Sequence, residues 1–313
     1  MKFRNFDELL KIVKGKTNRI VVPGANNDEV LEACKMGVEH EIISGGILIG
    51  PRAQVTAMAD KVGLPLQKFE IIDLADFAEM CNKAVDLVRA GKGDFLVKGL
   101  VDTKFYMKAI LRKEIAAVEE GTVLSHFVLF ELSNYHKLFA LTDAAIMIKP
   151  TLEEKAKIVR NAVSLMRTLG VDTPRVSVVC PVEKPNPKIP STMDAVELVN
   201  MSKDGRIKNA VIEGPYDVYI TFSKKLAEEK GIRGVVPGET DIALLPDLDS
   251  ANPMYKALSF FGAGIKSATV LAGSNIPVIL PSRTDSPMTK LHSIALACFL
   301  KDANKKVEGG VRV

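Results

Sequence analysis

Short unbroken apolar runs alternate along the chain with longer stretches whose apolar residues recur every third or fourth position. The runs at Arg19–Pro23, Ile47–Gly50, Ile71–Asp73 and Asp94–Val97 read as buried strands, because a strand covered on both faces needs no polar alternation. Helical patterns lie around and between them. They cover 3–14, then a helix with Val30, Leu31, Cys34 and Val38 on its apolar face, then 51–62, 74–90 ending at Gly91, and 103–113. Asp28 is the expected N-cap of the second of these. Strict alternation of strand and helix predicts a mostly parallel sheet with helices on both faces.

Over 122–148 the pattern changes. Thr122–Phe130, Leu138–Leu141 and Ala144–Ile148 follow one another with no helix-length spacer, which predicts antiparallel strands on or near a sheet edge. Alternation then resumes. A helix over 151–169 precedes a strand at Val176–Cys180, a Pro-rich loop at 181–190 and a helix over 191–202. Ala210–Ile212 reads as a strand before Glu213-Gly214-Pro215, and 217–230 as a helix with Lys and Glu outward. The strand Ile242–Leu245 leads into the last part of the chain. There the run Val278–Leu280 breaks at Pro281–Ser286, and Pro287 opens a helix with Met288, Leu291, Ile294, Ala295 and Cys298 at helical spacing. Ser286 suits the N-cap and Pro287 the first helical position. The pattern change near 135–150 marks the expected domain crossing. It implies one α/β domain from 1–138 plus 286–313 and a second from 139–285.

Length and composition narrow the class. At 313 residues and 47% apolar content the chain can hold two ordinary domains with real cores. No apolar run approaches the roughly 20 residues that span a bilayer, so no membrane partner is expected. The N-terminus is polar and helical in pattern, unlike a signal peptide. Four cysteines at 34, 81, 180 and 298 lack CxxC spacing and sit in apolar surroundings, which points to reduced core thiols and a cytoplasmic location. Four histidines without metal-ligand spacing give no metal signal. A net charge of +4 with interspersed signs argues against a nucleic-acid partner.

In open α/β sheets ligands bind beyond the C-terminal ends of strands. Polar residues at expected strand ends are Asn26, Asn27, Lys98, Ser125, His126, Asp247 and the loop Ser282–Asp285. No dinucleotide fingerprint, P-loop or nucleophile elbow is present. The last loop leaves a buried strand and meets a helix N-terminus, where free N–H groups and an arginine fork suit an anion. The same pattern fits an ordinary strand-to-helix turn with a solvated arginine.

Several stretches together resemble the phosphate acetyltransferase and phosphate butyryltransferase family over nearly the whole chain. They are Pro246-Asp247 with Asn252, Tyr255 and Lys256; Pro277–Leu280 with Ser282–Ser286; and Lys290-Leu291 with Ser293–Ala297. Glu213-Gly214-Pro215 with Asp217, and Thr142–Ala145 with Pro150 and Lys155, also fit. Lys98–Val101 with Thr103, and Leu124-Ser125-His126, are closer to the butyryl branch. The resemblance implies two α/β domains around an interdomain cleft, in the fold of isocitrate and isopropylmalate dehydrogenases. It also implies a cytoplasmic homodimer that interconverts acyl-CoA plus inorganic phosphate with acyl phosphate plus CoA, without metal or redox cofactor.

Within that chemistry Arg283 is expected to bind phosphate and developing negative charge, and Ser282 to hydrogen-bond the sulfur or carbonyl oxygen. Ser125 and His126 are expected to complete the phosphate pocket from across the cleft, and Asn252 and Lys256 to contact substrate from one helical face. In acetyl-type members the acid assigned as base lies seven residues after the serine, a position held here by Thr289. Asp285 is the nearby acid and takes the assignment; it could instead orient Arg283, and His126 is a rival proton carrier. Two other readings stand beside this one. One is an NAD-dependent decarboxylating dehydrogenase of the same fold, for which Asp247 and Asp249 lack a convincing third acid. The other is a CoA-binding regulator without activity.

Overall fold

The computed structural model describes residues 1–115, 118, 121–262, 264–282 and 285–308. In chain order the elements are α1 (Phe6–Val13), β1 (Asn18–Pro23), α2 (Asp28–Glu39), β2 (Ile43–Gly50), α3 (Arg52–Val62), β3 (Phe69–Asp73), α4 (Phe77–Arg89), β4 (Phe95–Val97) and α5 (Thr103–Ile110). Then come β5 (Ser125–Glu131), β6 (Phe139–Thr142), α6 (Leu152–Thr168), β7 (Arg175–Val179), α7 (Pro190–Lys203) and β8 (Val211–Tyr216). The chain continues with α8 (Val218–Phe222), α9 (Lys224–Glu229), β9 (Ile242–Leu244), α10 (Leu248–Phe261), β10 (Lys266–Ala272), β11 (Val278–Ile279) and α11 (Pro287–Glu308). Two compact units result, one from Phe6–Gly121 with Ala268–Val313, the other from Met1–Asn5 with Thr122–Ser267. Both crossings fall earlier than the expected boundaries at 139 and 286; the first does so because β5 pairs with β6 and so belongs to the same sheet.

The unit containing both chain ends of the α/β alternation has a sheet in the order β11-β4-β1-β2-β3, and its paired strands run parallel. The chain moves outward from β1 through β2 to β3, then returns by α4 to β4 on the far side of β1. Right-handed crossovers then place α2 and α3 on one face and α4 on the other. The packing agrees: α11 lies on α1 and α2, while α5 lies on α4. Two glycines make β2 possible. A Cβ on Gly46 would sit 2.1 Å from the Ile20 carbonyl oxygen, and one on Gly45, where φ is +142°, would sit 1.9 Å from that of Lys68. These glycines lie in the N-terminal half of β2, ahead of the apolar run that marks the strand in the sequence. The N-cap of α2 is Asn27, whose side chain accepts from the Val30 N–H at 3.1 Å; Asp28, the expected cap, is the first helical residue.

The second sheet has the order β10-β5-β6-β9-β7-β8; β5 to β9 lie in the other unit, and β10 spans the crossing at Ser267. β5 and β6 pair antiparallel as expected, while β6–β9, β9–β7 and β7–β8 are parallel. The antiparallel pair lies near the edge as expected, with β10 alone outside β5; no strand was expected at Lys266–Ala272. The third expected strand, 144–148, does not form. The Asp143 carboxylate takes the N–H groups of Ala145, Ile146 and Met147 and turns the chain. β8 runs on through Glu213-Gly214-Pro215 to Tyr216, and the helix expected over 217–230 is two, divided at Ser223, whose Oγ caps α9. A core of Val128, Phe130, Phe139, Leu141, Ala243 and Tyr255 joins this sheet to α10. Cys34, Cys81, Cys180 and Cys298 are free and buried. Burial pushes the thiols of Cys34, Cys81 and Cys298 up to about 12 and that of Cys180 to about 11. Among the described residues no helix is long and apolar enough to cross a membrane.

Replacing Gly46 by Ala forces Cβ into the Ile20 carbonyl and should cost roughly 3 kcal/mol or more. Urea unfolding of the two proteins measures the difference directly.

Candidate active site

Parallel register brings the C-terminal ends of neighbouring strands together, and the ends of β4 and β11 are such a pair. Val278 pairs with Leu96 and Ile279 with Val97, and all four are buried. The Lys98 N–H continues the ladder to the Ile279 carbonyl at 3.2 Å. Beyond these ends the connections part: β4 leads to α5, which packs on α4, and β11 leads to α11, which packs on α2. Such a divergence opens a crevice at the strand ends. It is occupied here by a pocket of about 400 Å³ lined by Lys98, Val101, Asp102, Thr103, Pro281 and Ser282. That volume falls within the roughly 300–1,000 Å³ common for small-molecule sites.

Local hydrogen bonds set the shape of the loop from Ser282. The Ser282 N–H donates to Asp285 Oδ2 at 2.7 Å, and the Asp285 N–H donates back to the Ser282 carbonyl at 3.1 Å. Ser286 Oγ accepts the Thr289 N–H at 3.1 Å and so caps α11 as expected. The buried Lys290 ammonium donates to the Asp285 carbonyl oxygen. Burial pushes the Lys290 pKa below its ordinary value, and the nearby Asp285 carboxylate opposes that shift. Ser282 and Asp285 are therefore brought together, with Ser282 half-buried at the pocket and Asp285 buried. Arg283 lies outside the described residues.

Ser125, His126, Asn252 and Lys256 belong to the other unit. Ser125 begins β5, is fully buried, and its Oγ accepts from Asn161 Nδ2 at 3.1 Å. The His126 N–H donates to Asp143 Oδ1 at 3.1 Å, and its ring meets the Tyr255 ring edge-on with centroids 6.0 Å apart. Asn252 Nδ2 donates to the Ala144 carbonyl at 2.9 Å. Two of the four residues, His126 and Asn252, thus bond to the turn Asp143–Ala144. Lys256 stands exposed one turn further along α10.

The residue that sequence reasoning left without a role is Asp143. One carboxylate at 4% exposure accepts four backbone N–H groups, from His126, Ala145, Ile146 and Met147. Its signal was an acid directly after the buried run Phe139–Thr142. Lys98 was visible as a polar strand end, but its pocket was not. Among the described residues no group of His, Cys, Asp and Glu is placed to hold a metal ion.

Residues 76–298, which include every candidate named above, match the family model for "Phosphate acetyl/butaryl transferase". The chain belongs to that family. It is 40% identical over 303 residues to the phosphate butyryltransferase of Clostridium beijerinckii, covering 96% of this chain and 99% of that one. A branched-chain phosphotransacylase from Enterococcus faecalis superposes with a TM-score of 0.79 at 28% identity, over 91% of this chain and 99% of that one. A 4-hydroxythreonine-4-phosphate dehydrogenase from Klebsiella pneumoniae shares the fold alone, with a TM-score of 0.54 at 10% identity over 92% of this chain and 99% of that one. Phosphotransacylases and dehydrogenases thus share this α/β architecture, as the resemblance implied.

Asp143→Asn removes a charge and turns a donor toward N–H groups that need an acceptor. It should destabilise the protein by about 3 kcal/mol. Chemical denaturation read by circular dichroism provides the value.

Proposed function

We propose that the chain transfers a short acyl group, butyryl or similar in size, between CoA and inorganic phosphate. The observation that carries this reading is 40% identity, over 96% of the chain, to a protein named phosphate butyryltransferase. The site supports it, since Ser282 and the buried Lys98 share one pocket at the strand ends.

Phosphate is largely dianionic at neutral pH and needs positioning more than deprotonation. An oxygen of phosphate attacks the thioester carbonyl, the C–O bond forms, the C–S bond breaks, and the thiolate leaves with the bonding pair. Ser282 Oγ donates to the carbonyl oxygen or the sulfur as charge builds there. Arg283, next in the chain, is assigned to phosphate. Asp285 accepts the Ser282 N–H and so fixes the serine; in the reverse direction it is the assigned base for the CoA thiol. Ser125, His126, Asn252 and Lys256 remain assigned to substrate binding, with Ser125 and Asn252 held by the hydrogen bonds described above. The thioester and phosphate balance the reaction without a further cofactor. Buried free thiols support a cytoplasmic setting, and the family resemblance supports a homodimer.

Purified protein should release CoA from butyryl-CoA only when phosphate or arsenate is added, read as free thiol. Ser282→Ala should lower kcat about 100-fold with an unchanged melting temperature. Release without phosphate dependence, or undiminished turnover in the variant, would count against the reaction or the serine respectively.

A further inference from the structure

We propose that Lys98 binds a phosphoryl oxygen of phosphate and of acyl phosphate in the pocket it shares with Ser282, an assignment that rests on the phosphate acyltransferase reading. Lys98 is 5% exposed and follows directly on the fully buried β4. A lysine ends an otherwise apolar strand there, where an apolar side chain would serve packing alone. The charge is retained where a pocket begins. Around it the described lining offers the hydroxyls of Ser282 and Thr103 and the apolar walls of Val101 and Pro281. One cation, two hydroxyls and two apolar surfaces suit a phosphoryl group joined to a short aliphatic acyl chain.

Asp102, the acid in the same lining, has a structural task. Its carboxylate caps α5 by accepting the Lys104 N–H at 2.7 Å. Lysine also fits a ligand that changes shape during turnover. Its ammonium is a point charge with three rotatable donors and can follow a phosphoryl oxygen from free phosphate into acyl phosphate. The diphosphate of CoA is the other candidate anion. It is separated from the sulfur by the length of the pantetheine arm, so a lysine in the pocket of Ser282 is assigned to the nucleophile.

The test uses the full-length protein with Lys98→Met, Lys98→Arg and, as a control, Lys108→Met, which removes an exposed charge from the same α5 region. For Lys98→Met, KM for phosphate should rise at least about tenfold while KM for butyryl-CoA stays within about twofold. Lys98→Arg should recover part of the loss, and Lys108→Met should leave both constants unchanged. Independently of turnover, phosphate should raise the melting temperature of the wild type and of Lys108→Met but not of Lys98→Met. An unaltered phosphate KM in Lys98→Met, or an equal rise in both KM values, overturns the assignment. Should Lys98→Met fail to fold, an unaltered phosphate KM in Lys98→Arg overturns it equally, since a displaced charge must weaken a specific contact. A wild type that releases no CoA defeats the acyltransferase reading; the thermal shift with phosphate then decides on Lys98 by itself.

Discussion

The pairing of β11 with β4 brings together the two residues on which the pocket depends. β11 is two residues long, so its ladder is short: Leu96 N–H to the Pro277 carbonyl at 3.0 Å and Lys98 N–H to the Ile279 carbonyl at 3.2 Å. Burial holds it in place. Val278, Ile279 and Leu280 are all buried, at about 1.5–3 kcal/mol for each such side chain. The Tyr106 hydroxyl also reaches the Ile279 carbonyl at 3.4 Å. Because the pairing is parallel, the residues that follow each strand emerge at the same end, Lys98 from one and Ser282 from the other. They are distant in the chain and adjacent in the site only through this register.

How much of this was legible in the sequence follows from what each pattern reports. Apolar runs report double-sided burial, so β1, β3, β4, β7 and β9 were found to within a residue or two. Caps report local hydrogen bonding, so Ser286 was found, while the cap one residue from Asp28 was not, because asparagine and aspartate cap equally well. Neighbour order in a sheet has no local signature. β10 was missed, although the antiparallel pair does lie near the edge that β10 forms. The site loop was legible from composition and resemblance, but the pocket was not, since it requires knowing that β4 and β11 are neighbours.

Asp143 shows where periodicity misleads. Ala144–Ile148 is as apolar as a strand, yet one preceding carboxylate offers its N–H groups better partners than a neighbouring strand would. A carboxylate accepts several hydrogen bonds at once, and charge-assisted bonds are roughly twice as strong as neutral ones. The same oxygen that takes the Ala145 and Ile146 N–H groups takes that of His126, so the turn and the start of β5 are fixed together. Asn252 then ties α10 to the carbonyl of the next residue, Ala144. Candidate residues from two separate segments, His126 directly and Asn252 through Ala144, are placed by a turn that one acid holds and that has no assigned part in the chemistry.

A net charge of +4 is little for a protein whose proposed substrates, CoA and phosphate, are all anions. Net charge, however, governs solubility and long-range steering, whereas binding depends on the field at the site. Lys98 and Lys290 are both buried, at 5% and 2% exposure, on either side of the Ser282–Asp285 turn in the chain and within the same unit. Charges removed from water act through a lower effective dielectric, so each buried ammonium exerts a larger field than several exposed lysines. Both must be stabilised by what surrounds them. For Lys290 the Asp285 carbonyl oxygen and the adjacent carboxylate serve that purpose, and burial still depresses its pKa. Lys98 stands at the pocket it shares with Ser282. A short apolar strand with a lysine at its end is thus a simple backbone arrangement for setting a buried charge at the mouth of a pocket.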